Sequence, residues 1–87
     1  MTMGNIPVVQ LYTKDECSLC DKAMIVLDSV AREIPFELIK IDITKDKELF
    51  EKFKEKIPVV YINGRISFKY YVEEEKFREK LNRCRLD

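Results

Sequence analysis

The spacing of apolar positions changes several times along the chain, and each change marks an element. "PVVQLYT", Pro7 to Thr13, is rich in β-formers and reads as a strand. A polar loop follows. From Ser18 to Arg32 the residues Cys20, Ala23, Met24, Leu27, Val30 and Ala31 recur at helical spacing, and Pro35 follows the helix end. "FELIKIDI", Phe36 to Ile43, reads as a second strand. Ile39, Ile41 and Ile43 share one of its faces, Phe36 and Leu38 the other. Thr44 or Asp46 is expected to cap a short second helix, with Leu49, Phe50 and Phe53 on one side. "IPVVYI", Ile57 to Ile62, is the third strand. Asn63-Gly64 then suits a two-residue type I′ turn, which needs positive φ at both positions. Arg65 to Lys69 becomes an antiparallel fourth strand. Glu73 to Arg85 closes the chain as a helix whose acidic start and basic end complement its dipole. Phe77, Leu81 and Cys84 form its expected buried stripe.

The order is β-α-β-α-β-β-α. A β-α-β unit implies a parallel pair with a right-handed crossover. The hairpin adds two antiparallel strands. The expected fold is therefore α/β, a mixed four-stranded sheet with helices on both faces. At 87 residues, without repeats or linkers, the chain reads as one domain, residues 1–87.

Charge adds mainly exclusions. Lys plus Arg is 16 and Asp plus Glu is 16, so no bulk field draws the protein to nucleic acid or an anionic membrane. Arg78, Arg83 and Arg85 read either as a solvated helix end, the favoured reading, or as a local basic patch. There is no basic leader with an apolar run, and no stretch nears the ~20 apolar residues of a membrane span. The expected compartment is the cytoplasm, where thiols are kept reduced.

"DECSLC", Asp15 to Cys20, carries the candidate chemistry. Its two cysteines admit four uses: a metal clamp, a structural crosslink, two core residues, or a reactive couple. Cys17 falls at the start of the first helix, where unpaired N–H groups and the dipole favour a thiolate. Lys14 adds a nearby cation, Asp15 and Glu16 oppose it, and the expected net effect is a lowered pKa. Cys20 lies one turn on, beside Met24 and Leu27, and is expected to be less exposed. Cys17 would then attack a disulfide and Cys20 would resolve the mixed disulfide. A zinc site needs four ligands, and the chain has no His and only Cys84 besides the pair. An iron–sulfur cluster shared across a dimer remains an alternative. So does a non-catalytic interaction module with incidental cysteines. The polar loop disfavours two plain core residues. A C-x-x-C between the first strand and helix of a βαβ pattern favours redox exchange.

Other residues carry paired readings. Asp21 either complements the helix dipole or assists the deprotonation of Cys20. Tyr12 is a core aromatic or a wall of the site. Tyr70 and Tyr71, if extended, would send one ring inward. Cys84 reads as a buried, inert thiol. Pro58 is a trans proline at a strand start, or a cis proline in a tight loop beside the thiols. X–Pro bonds are where cis costs little, and the context favours cis.

"LYTKDECSLC", "KIPVVYING" and the element order resemble the glutaredoxin branch of the thioredoxin superfamily over nearly the whole chain. The Cys-x-Leu-Cys-Asp pattern in a minimal chain looks most like the glutaredoxin-like small proteins. The resemblance implies that Cys17 is the nucleophile, that Cys20 resolves, and that Pro58 is cis. It implies that backbone groups of Ile57 bond the substrate chain and that Lys14 contacts a glutathione carboxylate or the thiolate. Leu19, between the cysteines, joins these as a substrate-binding residue. Two departures stand out. Ser18 and Leu19 replace the usual Pro-Tyr, and "RISFKYYVEEE" lacks the usual glycine pair after the hairpin.

The implied function is a thiol–disulfide oxidoreductase acting on protein or glutathione-mixed disulfides. Glutathione or a reductase would supply its electrons. No cofactor or metal is required, glutathione serving at most as co-substrate. The expected protein is a monomer with no nucleic-acid or membrane partner.

Overall fold

A computed structural model describes residues 6–86. Strand β1 (Val8–Thr13) leads into α1 (Ser18–Ala31), followed by β2 (Glu37–Asp42) and a 3-10 turn (Ile43–Lys45). Then come α2 (Lys47–Phe53), β3 (Val59–Ile62), β4 (Arg65–Lys69) and α3 (Glu74–Leu86). The sheet order is β2-β1-β3-β4. β1 and β2 are parallel, and the other neighbours are antiparallel. The expected architecture is therefore the observed one.

Alternation along the strands splits the interior into two clusters. Val9, Leu11, Val60 and Ile62 face α1 and α3, where they pack with Ala23, Leu27, Val30, Phe77 and Leu81. The Phe77 ring stands edge-on to Phe36 at 5.5 Å and to Phe68 at 6.2 Å, an arrangement that suits the aromatic quadrupole. The opposite face is smaller. Ile43, Phe53, Ile57 and Val59 pack there with Cys20, flanked by Tyr12, Tyr61, Leu49 and Phe50. The seven residues of α2 are too short to roof this face, so Ile39 and Ile66 remain 38% and 47% exposed.

Several local expectations shift. β2 ends at Asp42 rather than Ile43, because the Asp42 carboxylate caps the 3-10 turn by accepting the Thr44 N–H at 2.9 Å. Asp46, not Thr44, caps α2, accepting from the N–H groups of Glu48 and Leu49. β3 begins two residues late, at Val59. Asn63 and Gly64 both have positive φ, +50° and +83°, as a type I′ turn requires.

The ring pair after β4 also departs from expectation. Tyr70 takes φ +69°, which breaks the extension and leaves both Tyr70 and Tyr71 exposed. Cys84 is half-buried beside the larger cluster rather than fully buried.

Arg78 is not part of a solvated helix end. Its guanidinium donates to Glu33, Glu74 and Glu75 at 2.8–3.2 Å, and those carboxylates hold it firmly protonated. This tie fastens α3 to the end of α1. Arg83 is exposed as expected, while the side chain of Arg85 lies outside the described residues, as does the leader position at residues 1–5.

Candidate active site

The loop Lys14–Glu16 carries the chain from the carboxyl end of β1 into α1. Glu16 adopts a left-handed φ of +57°, a conformation that costs an ordinary residue about 1 kcal/mol or more. That turn delivers Cys17 to the N-cap of α1 in an extended conformation. N-caps are normally Ser, Thr, Asp or Asn, whose side-chain oxygen accepts a free helical N–H. Here sulfur takes the role. The Sγ of Cys17 accepts the N–H of Cys20 at 3.2 Å, and its carbonyl accepts the N–H of Asp21 at 3.1 Å.

The two thiols are held differently. Cys17 is half-buried, whereas Cys20 is 3% exposed. All three cysteines are free thiols. The first turn of α1 overhangs the end of the sheet, so Cys20 belongs to the smaller cluster although the rest of its helix packs on the larger one. Burial pushes the Cys20 thiol up, and its hydrogen bond with Cys17 adds to the rise. Hydrogen bonds with the Thr13 side chain and the Lys14 backbone oppose the rise without cancelling it.

Ile57 lies in the same cluster as Cys17 and Cys20, and the Ile57–Pro58 peptide bond is cis. Ile57 is 7% exposed, yet neither its N–H nor its C=O joins a backbone hydrogen bond among the described residues. Ile57 thus has backbone groups outside the ladder, close to the thiols. Tyr70 donates its N–H to the Pro58 carbonyl at 2.8 Å and braces the loop from behind. Tyr12 walls the cluster, its ring 4.6 Å from Phe53 and 5.4 Å from Tyr61.

The remaining sequence candidates divide. Lys14 is half-buried beside Cys20. Its ammonium makes no ion pair among the described residues, and its backbone hydrogen-bonds the Cys20 thiol. Leu19 is half-buried on the first turn and outside both clusters. Asp21 is exposed at the rim.

Sequence reading missed three neighbours of Cys20. A groove of about 290 Å³ beside Cys20 is walled by Thr13, Lys40 and Asp42 as well as Lys14 and Asp21. Asp42 accepts from both the N–H and the hydroxyl of Thr44, and those bonds hold its carboxyl below the usual range. The signal was available: parallel pairing sets Asp42 opposite Thr13, at the same end of the sheet as the thiols. Among the described residues, no group of three or more His, Cys, Asp or Glu is placed to hold a metal ion. No described helix is long and apolar enough to cross a membrane.

Residues 8–82 match the model of a family described as the glutaredoxin-like domain (DUF836). A Dictyostelium discoideum protein described as "Glutaredoxin-like protein YDR286C homolog" is 36% identical over 74 residues, 78% of this chain and 68% of that protein. An X-ray structure of the protein XcR50 from X. campestris superposes with a TM-score of 0.72 at 26% identity, covering 86% of this chain and 96% of that one. The thioredoxin of Fasciola hepatica superposes at 0.63 with 24% identity, covering 92% and 82%, which speaks to the fold alone.

Proposed function

Since the chain belongs to the glutaredoxin-like domain family, we propose that it is a thiol–disulfide oxidoreductase with a Cys17/Cys20 dithiol. The observation that carries this reading is the asymmetry of the pair. One sulfur is half-buried at a helix N-terminus, where it accepts an N–H, and the other is buried one turn behind it.

The reaction runs in two exchanges. The thiolate of Cys17 attacks one sulfur of a substrate disulfide, forming a mixed disulfide and expelling the other sulfur as thiolate. Cys20 then loses its proton and attacks the Cys17 sulfur. That step closes the Cys17–Cys20 disulfide and releases the second substrate thiolate. Two electrons pass to the substrate, and each released thiolate takes up a proton from water. A dithiol reductase or two molecules of glutathione return the electrons and restore both thiols.

Ile57 has the open backbone groups to bond an extended segment beside the target sulfur, in the manner of a short strand pairing. The substrate class is a protein disulfide or a glutathione-mixed disulfide. In this reading Lys14 meets a glutathione carboxylate or the thiolate, and Leu19, between the cysteines, is a further substrate contact.

Reduction of insulin or of a glutathione-mixed disulfide, followed in wild type and in Cys17→Ser, tests the assignment. The variant is expected to lose turnover completely. Full activity in Cys17→Ser removes the proposed mechanism.

A further inference from the structure

At the end of the sheet opposite the dithiol, the β3–β4 hairpin and the distal half of α3 enclose a groove of about 410 Å³. Its charged lining is Arg65, Lys80 and Arg83, and Ile62, Ser67 and Cys84 complete much of the wall. Among the described residues, no acidic side chain lines it. Register fixes the location: Ile62 pairs with Val9 at the start of β1, whereas the thiols follow Thr13 at its end.

Three like charges around one small volume repel one another. Charges within a Debye length, ~8 Å at physiological salt, are not fully screened. The same helix shows the ordinary remedy in Arg78, which takes three carboxylates. Arg65, Lys80 and Arg83 form no ion pair among the described residues. The helix dipole favours a cation in the last turn, which accounts for Arg83. It accounts for neither Lys80, one turn earlier, nor Arg65, which comes from the hairpin. The Lys80 ammonium rests over the Phe68 ring, 5.8 Å from its centroid, and is thereby held on the hairpin side.

We propose that this groove binds a small, multiply charged anion bearing phosphate or carboxylate groups. Its volume falls in the range of small-molecule sites, roughly 300–1,000 Å³. Two guanidinium forks suit bidentate contact with either group. The cations come from two elements, so an anion with two or more charged groups bridges hairpin and helix. Ile62 and Cys84 leave part of the wall apolar, which accommodates an organic body. The site is independent of exchange at Cys17.

Pyrophosphate and citrate, titrated separately into the full ¹⁵N-labelled chain at low ionic strength, test the site through the amides of Ser67 and Cys84. Saturable shifts are expected with at least one probe. Affinity is expected to fall at least tenfold in Arg65→Gln and in Lys80→Gln, and to hold in Lys47→Gln on α2. Saturation by pyrophosphate alone identifies a phosphate ligand, and by citrate alone a carboxylate. Saturation by both shows that charge is the recognised feature. Arg65 is exposed on the hairpin, so its loss leaves the core intact, and spectral dispersion verifies folding in the same experiment. Shifts that stay linear with concentration overturn the proposal, as does unchanged affinity in both groove variants.

Discussion

Two sulfurs of the same element, three positions apart, face different surroundings. Cys17 caps a helix at the surface, and Cys20 is enclosed by Ile43, Phe53, Ile57 and Val59. Burial disfavours the charged form of Cys20, so its thiol is raised from the ordinary 9.0. In a mixed disulfide Cys17 no longer shares its hydrogen bond, but the burial of Cys20 persists. The resolving step then depends on a thiol that is mostly protonated at neutral pH. Its rate, followed as decay of the mixed disulfide in a single turnover, is expected to rise with pH through the alkaline range, by about tenfold per unit until Cys20 ionises. A pH-independent decay contradicts this. The sign for stability is the reverse. The unfolded chain ionises this thiol first, so the fold loses stability as pH climbs above 9.0 and through the raised folded value. The division between the cysteines was legible in the sequence, because Cys20 shares the helical stripe of Ala23 and Leu27. The open backbone of Ile57 was not derivable from spacing, since it depends on where the β3 ladder stops.

The elements were legible wherever period and turn chemistry agreed. β1, α1 and the Asn63-Gly64 hairpin follow the expected pattern. The misses fall at element ends, where single side chains compete for backbone groups. Between β2 and α2 the sequence offers Asp42, Thr44 and Asp46 in succession. The two aspartates divide the work, one capping the 3-10 turn and the other α2. Apolar spacing cannot rank such caps. A seven-residue helix is too short to persist on its own propensity, so α2 depends on this cap and on Phe53. Asp46→Ala removes the acceptor for two N–H groups. It is expected to lower stability by about 1 kcal/mol in denaturant unfolding, with the Cys17 exchange rate unchanged. A stability equal to wild type shows that α2 is held by packing alone. Tyr70 was the other miss. Its positive φ follows from the hydrogen bonds of Tyr70 to Pro58 and of Tyr71 to Lys69, which no apolar pattern records.

Across the whole molecule the sheet separates two regions of chemistry. The dithiol and the Ile57 edge lie at the carboxyl end of β1, and Cys84 lies with Arg65 and Arg83 at the other. The topology was legible from element order, because the parallel β-α-β pair and the hairpin leave few other arrangements. The cationic groove was legible only in part: a local basic patch could be read at Arg83, but not that Arg65, distant in sequence, joins it from the hairpin. The strand between the two ends runs from Val9 to Thr13, four steps or about 13 Å at strand rise. Disulfide partners need Cα atoms within roughly 7 Å, so Cys84 cannot replace Cys20 as the resolving thiol. That separation makes the central claim directly measurable. Cys20→Ser protein, incubated with a disulfide substrate and mapped by peptide mass spectrometry, is expected to carry the substrate as a stable mixed disulfide on Cys17, with Cys84 unmodified. An adduct confined to Cys84, or none on Cys17, contradicts the account.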